Sequence, residues 1–279
     1  MKKIISSILV SSLVILSACV STEHVVAPAV APQTSVSLPA STIATEAIVD
    51  KKSASADVAA SAEPAIVAAP AKAAEHAHHA PEGVAAEQAM KWLKNGNHRF
   101  TKGFFRKDGA TKKDVARLSK GQKPHSIVLS CSDSRVPPEV VFDQKLGEIF
   151  TVRTAGEVLD SASIASIEYA VEHLGSRNIL VMGHSQCGAV KAALSTFGGK
   201  DAGSPNLNKL VGDIHPRLQQ FEGKEPSANY EVESWANTNG VAKDLLERSS
   251  IIAEKVRSGE VQINTALYHL ETGVAEFTK

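Results

Sequence analysis

Ser130-Cys131-Ser132-Asp133-Ser134-Arg135-Val136-Pro137-Pro138-Glu139 is answered further along the chain by Gly183-His184-Ser185-Gln186-Cys187-Gly188-Ala189-Val190. Each run follows a short apolar stretch, Ile127-Val128-Leu129 and Ile179-Leu180-Val181-Met182, then turns small and polar, as strands do when they end in a loop. Between them, residues 161–174 place Ile164, Ile167, Ala170, Val171 and Leu174 on one helical face. Apolar strands alternating with helices predict an α/β fold, a mostly parallel central sheet flanked by helices. Ligands of such sheets bind at the carboxyl edge of the strands, where Cys131, His184 and Cys187 would meet. Two thiols and an imidazole form a ligand set of catalytic zinc sites, which keep a fourth position for water or substrate.

Taken singly, each ligand has a plainer reading: loop histidines are usually structural, and cysteines are usually buried apolar residues. A disulfide between Cys131 and Cys187 is the alternative in an oxidising compartment, but it explains neither His184 nor the Asp133/Arg135 pair. Asp133 and Arg135 occupy alternate positions of one loop, spaced for a fork-to-fork ion pair. Such a pair either orients a nucleophilic water or braces the loop. His98 and His125 have no spacing partner and read as structural.

C-S-D-S-R followed by G-H-x-x-C-G resembles the β-class carbonic anhydrases. Gly121-Gln122-x-Pro124, Phe150-x-Val152-Arg153-x-Ala155-Gly156 and Ser166-Ile167-Glu168-Tyr169-Ala170 extend the resemblance over roughly residues 84–279. It implies one zinc per chain on Cys131, His184 and Cys187, with reversible hydration of carbon dioxide to bicarbonate and a proton by zinc-bound hydroxide. It implies catalytic roles for Asp133 and Arg135, and a substrate pocket of Gln122, Phe150, Ala155, Tyr169 and Gly188. Gly188 would keep a side chain from crowding the site; Ala155 is smaller than the valine of some relatives. The resemblance also implies a homodimer or higher even oligomer, with the site at the subunit interface. Within the family, the type whose aspartate closes onto zinc carries a tryptophan three residues before the first cysteine. Here that residue is Val128, so the open type is expected. Two alternatives stand beside this reading: a carbon disulfide or carbonyl sulfide hydrolase on the same scaffold, and a zinc-binding envelope protein without turnover. The latter has no need of Asp133, Arg135 or Gln122.

Residues 1–19 form a basic start, an apolar core and Leu16-Ser17-Ala18-Cys19, the layout of a secretory signal ending in a lipobox. Cys19 is the expected lipidation site; the alternative is a soluble periplasmic protein cleaved nearby. Val20 rather than Asp after the cysteine favours the outer membrane. Residues 20–82 are rich in Ala, Val, Pro and Ser and hold no aromatic residue, so they are expected to be a disordered tether to a domain at 83–279. Its Glu75-His76-Ala77-His78-His79 patch is either solvated or a weak metal collector. Lys+Arg 30 against Asp+Glu 30 leaves no basic face, and nucleic acid is not an expected partner.

Elsewhere, the pattern predicts a helix over 85–100 with a weak spot at Asn95-Gly96-Asn97, and a short helix over 111–120. Strands are expected at 126–130, 147–153 and 178–182. Helices are expected from 186 to 197, 207 to 221 and 233 to 257, with late strands at 261–264 and 272–277, placed at a sheet edge.

Overall fold

Residues 83–278 are described by a computed structural model. The signal, the tether and the His76–His79 patch lie outside the described residues. Five strands form one sheet in the order β2-β1-β3-β4-β5: β1 Ser126–Cys131, β2 Ile149–Thr154, β3 Asn178–His184, β4 Gln262–Tyr268 and β5 Ala275–Phe277. Only β5 is antiparallel to its neighbour. Every residue of β1 and β3 is buried, the signature of parallel strands covered on both faces.

The period of two in β1 and β3 sorts their side chains between two cores. Val128, Leu180 and Met182 point to one face, packed with Met90, Leu93, Val190, Ile214 and Leu218. These come from α1 (Ala86–Lys102), α5 (Gly188–Ser195) and α6 (Pro205–Leu218). Ile127, Leu129, Ile179 and Val181 point to the other, packed with Ile164, Ile167, Val241, Leu245 and Ile252. These belong to α4 (Ser161–Glu172), α7 (Glu231–Arg248) and α8 (Ser250–Arg257). α2 (Lys112–Leu118) and α3 (Pro138–Val141) complete the element order. Emptying one such fully buried leucine costs about 2–5 kcal/mol. Among the described residues no helix is long and apolar enough to cross a membrane.

Three expectations are corrected. α1 runs unbroken through Asn95-Gly96-Asn97, because tertiary packing overrides local propensity there. A Cβ at Gly96 would lie 1.7 Å from the Phe142 carbonyl oxygen. Buried Asn97 donates to the carbonyls of Val141 (3.1 Å) and Gly273 (2.9 Å) and accepts from Ala275 N–H (2.9 Å). Residues 233–257 are two helices, parted at Ser249, whose hydroxyl caps α8 by accepting the Ile252 N–H at 3.1 Å. β4 is longer than expected and interior, flanked by β3 and β5; the edge strand is β5.

Candidate metal centre

Cys131 is the last residue of β1 and His184 the last of β3, and the two strands pair in register from Ser126↔Asn178 to Ser130↔Met182. Equal register brings both carboxyl ends to one level. β1 leads away to β2 on one side of the sheet while β3 lies on its other side, the switch point at which open α/β sheets bind ligands. Cys187 then stands at the residue preceding α5. Cys131 and Cys187 are both free thiols and both buried, so the disulfide alternative is not formed. The ligand atoms of Cys131, His184 and Cys187 all lie within 4.8 Å of one another.

His184 is fully buried, and its Nδ1 donates to the Ser185 carbonyl at 2.8 Å. That bond fixes the proton on Nδ1 and leaves a lone pair on Nε2, which is buried with no hydrogen-bond partner. An orphaned buried acceptor costs about 1–3 kcal/mol, and a metal ion removes the penalty. Tetrahedral zinc with its usual Zn–S and Zn–N bonds holds ligand atoms roughly 3.5–3.8 Å apart. The donors present fit zinc in kind and number, and a separation within 4.8 Å lets one ion reach all three. The hydrogen bond from the Cys187 thiol, chiefly, holds the Cys131 thiol below its ordinary value against the opposing effect of burial. The same bond, with burial, pushes Cys187 up. A metal would displace the proton they share.

Asp133 and Arg135 form the expected fork. Asp133 Oδ1 accepts from Arg135 Nε at 2.9 Å and from its backbone N–H at 2.9 Å, and Oδ2 accepts from Nη2 at 2.7 Å. These bonds, chiefly that from the guanidinium, hold the carboxyl well below the usual carboxylate range against burial. Oδ2 also lies 3.9 Å from His184 Nε2, so the carboxylate borders the metal position. Arg153 secures the loop from β2, donating to the carbonyls of Cys131 (2.9 Å) and Asp133 (2.6 Å).

Comparison with known proteins agrees with this geometry. Residues 126–275 match the family model described as carbonic anhydrase. The chain is 38% identical over 189 residues to carbonic anhydrase 2 of Mycobacterium tuberculosis, covering 67% of this chain and 90% of that one. Identity to the carbonic anhydrase of Mycolicibacterium smegmatis is also 38%, over 188 residues, 67% and 91% of the two chains. The chain belongs to the carbonic anhydrase family. Among solved structures, the β-carbonic anhydrase CcaA superposes with a TM-score of 0.53 at 25% identity, over 68% of this chain and 95% of that one. The fold is that of the β class, and the chain is a carbonic anhydrase.

The substrate residues expected of this carbonic anhydrase fall into two places. Ala155 opens the turn that follows β2, and Phe150 lies part-buried on β2 itself. Tyr169, on α4, is 50% exposed. Gly188 is exposed beside Cys187, and an added Cβ would meet no protein atom within 4 Å. Gln122 is not brought to the metal centre. It precedes β1, so the length of that strand, roughly 17 Å, separates it from Cys131. It lines a groove of about 730 Å³ with Trp92, Leu118, His125 and Leu146. His125 is structural, bonded to Ser126 Oγ and Gln144 Oε1 at 2.9 Å each.

Sequence reasoning missed one group beside the centre. Glu157, at the end of the turn after β2, is 1% exposed and bonded to Asn237 of α7. Its only sequence signal is its place after Ala155-Gly156, which says nothing of its burial.

Proposed function

We propose that this carbonic anhydrase hydrates carbon dioxide reversibly to bicarbonate and a proton, at one zinc per chain held by Cys131, His184 and Cys187. The carrying observation is the buried, partnerless Nε2 of His184 set between two buried free cysteines. Zinc there would supply Lewis-acid activation of water, an effect for which carbonic anhydrases are the type example. The chain's own residues do the rest. Ionised Asp133 would accept a hydrogen bond from a water beside His184 Nε2, 3.9 Å from its Oδ2, and orient it. Arg135 keeps the carboxylate occupied, so that it does not become the fourth ligand. Val128 is wholly enclosed in the core, which leaves no indole to build a closing pocket. Ala155, in the turn beside Cys131, would line the slot for a small electrophile, whereas Phe150, paired with Ile127 toward the amino end of the strands, and exposed Tyr169 would reach a slot only from a second copy.

Gln122 enters this reading through a second copy. It sits at the far end of β1 from its own metal centre, in a groove rimmed by exposed Trp92 and Leu146, which suits burial against a neighbouring chain. A homodimer or higher even oligomer, in which each Gln122 serves the partner's centre, completes the pocket. The domain at 83–279 is proposed to be tethered to the cell envelope through acylated Cys19 and the 20–82 segment.

The open-site reading is tested by carbon dioxide hydration on mild acidification, with and without added bicarbonate. A gradual loss that bicarbonate does not deepen is expected. A steep, cooperative collapse worsened by bicarbonate would overturn it. Tethering is tested by fractionating cells that carry Cys19→Ala, which should release the protein or block its processing.

A further inference from the structure

The turn after β2 combines two costs on one side chain. Gly156 and Glu157 both adopt left-handed backbone, with φ of 63° and 54°. Glycine does so freely; a residue with a Cβ is strained there by about 1 kcal/mol or more. Glu157 is also 1% exposed, and burying a carboxyl that lacks a cationic partner is costly. One of its oxygens, Oε1, has no hydrogen-bond partner at all. A strained, buried acid with an orphaned oxygen is a poor choice for a turn whose only task is to join β2 to α4.

The surroundings show what the side chain holds. Glu157 Oε2 accepts from Asn237 Nδ2 at 3.0 Å, and the same Nδ2 donates to the Gly156 carbonyl at 2.9 Å. Asn237 is itself fully buried, and its Oδ1 accepts from Arg217 Nη1 at 3.2 Å. Arg217 is anchored in turn on Asp244, at 2.8 Å from Nε and 2.7 Å from Nη2. A chain of polar contacts thus runs from α6 and α7 to both ends of the Gly156–Glu157 unit. On its other side that unit faces the metal centre: Gly156 N–H donates to Cys131 Sγ at 3.4 Å. The room is tight, since a Cβ at Gly156 would lie 2.9 Å from Ala189 Cβ and 2.9 Å from Ile214 Cδ1.

We propose that Glu157 is a positioning residue for the metal centre: clamped by Asn237, it fixes the turn so that the Gly156 N–H stays on Cys131 Sγ and sets the charge that sulfur gives to the metal. The inference rests on the metal-centre reading above and goes beyond it in naming what tunes a ligand from behind. An N–H donor on a thiolate withdraws charge from it, and groups of this kind behind metal ligands typically change metal affinity about 10–100-fold. Glutamine keeps the length of the side chain and an oxygen that can accept from Asn237 Nδ2, so it should replace Glu157.

The test uses the full chain with zinc affinity measured by chelator competition, and cobalt substitution read by the thiolate-to-cobalt charge-transfer band. Glu157→Gly relieves the backbone strain but empties a buried site, so its fold is checked by circular dichroism, and the cobalt band separates a shifted ligand from lost stability. The proposal expects at least about a tenfold loss of zinc affinity and a shifted band, with Glu157→Gln restoring both to within about threefold of the wild type. Asn237→Ala, which removes the clamp from the α7 side, should move both readouts in the same direction as Glu157→Gly. A Glu157→Gly protein with unchanged affinity and an unshifted band would overturn the proposal, and so would a folded Glu157→Gln protein as impaired as the glycine variant. A wild-type chain lacking any thiolate-to-cobalt band would instead overturn the metal-centre reading on which it rests.

Discussion

The two ends of β1 are built differently. At the carboxyl end, one chain supplies everything a metal needs: Cys131, His184, Cys187 and the Asp133/Arg135 fork converge through the shared register of β1 and β3. At the amino end, Gln122 borders an open groove with Trp92 and Leu146, 41% and 52% exposed. The contrast separates what a single fold can fix from what assembly must add. Ligands are placed by strand ends within one sheet, whereas the proposed substrate pocket would draw on a surface that one chain leaves uncovered.

The sharpest break in that contrast is His184→Ala. It should abolish zinc binding and lower carbon dioxide hydration by roughly a thousandfold or more, while the groove around Gln122 is untouched. Metal analysis and stopped-flow rates on one sample check both halves.

Asp143→Asn is the complementary lesion. Asp143 is 1% exposed and is held by Arg99 at 2.6 Å and Lys145 at 2.9 Å. These ion pairs tie α1 to the segment before β2. Burial pushes this carboxyl up, but the bonds from Lys145 and Arg99 outweigh it and leave the group below its usual range. Breaking such a pair should cost about 3 kcal/mol, read in urea unfolding, with zinc content unchanged. Because the folded value is depressed, the contribution is complete above the ordinary carboxylate range and fades as pH falls through the folded value. The gap between variant and wild type should therefore close on acidification below that range.

Asp133→Asn should lower turnover by about a hundredfold while zinc stays bound, because the water loses its acceptor but the metal keeps three ligands. The smallest effect is expected from Gln122→Ala, about a tenfold loss, the scale of one hydrogen bond to substrate. Its value lies in complementation. Hybrids of Gln122→Ala and His184→Ala chains should recover activity, since each hybrid holds one centre with intact ligands and a partner's intact Gln122. No recovery would show that Gln122 does not serve across an interface.

Much of the carboxyl end was legible in the sequence because its signals are local. Apolar runs such as Ile179–Met182 give way abruptly to small polar residues, and the ligands sit at those transitions. Most of what escaped is set by contacts distant in sequence. Asn95-Gly96-Asn97 resembles a helix breaker, yet Gly96 and Asn97 are there to meet Phe142, Val141 and Gly273. β4 looked short because Asn264 and Thr265 are polar, but Asn264 is satisfied by Asn178 of β3 at 3.0 Å and Thr265 by Asn239 of α7 at 2.8 Å. Ser249 parts α7 from α8 through a cap that the continuous apolar pattern concealed. Glu157 could not be found at all, since its importance depends on α6 and α7 folding over the turn.

Zinc and turnover are expected to reside at one centre. The direct measurement is a titration of the metal-stripped full chain with zinc, following carbon dioxide hydration by stopped flow on each sample. Activity should rise in proportion to bound zinc and level off at about one zinc per chain. A chain that fills its site with zinc and shows no hydration, or hydrates equally well without it, would contradict the account.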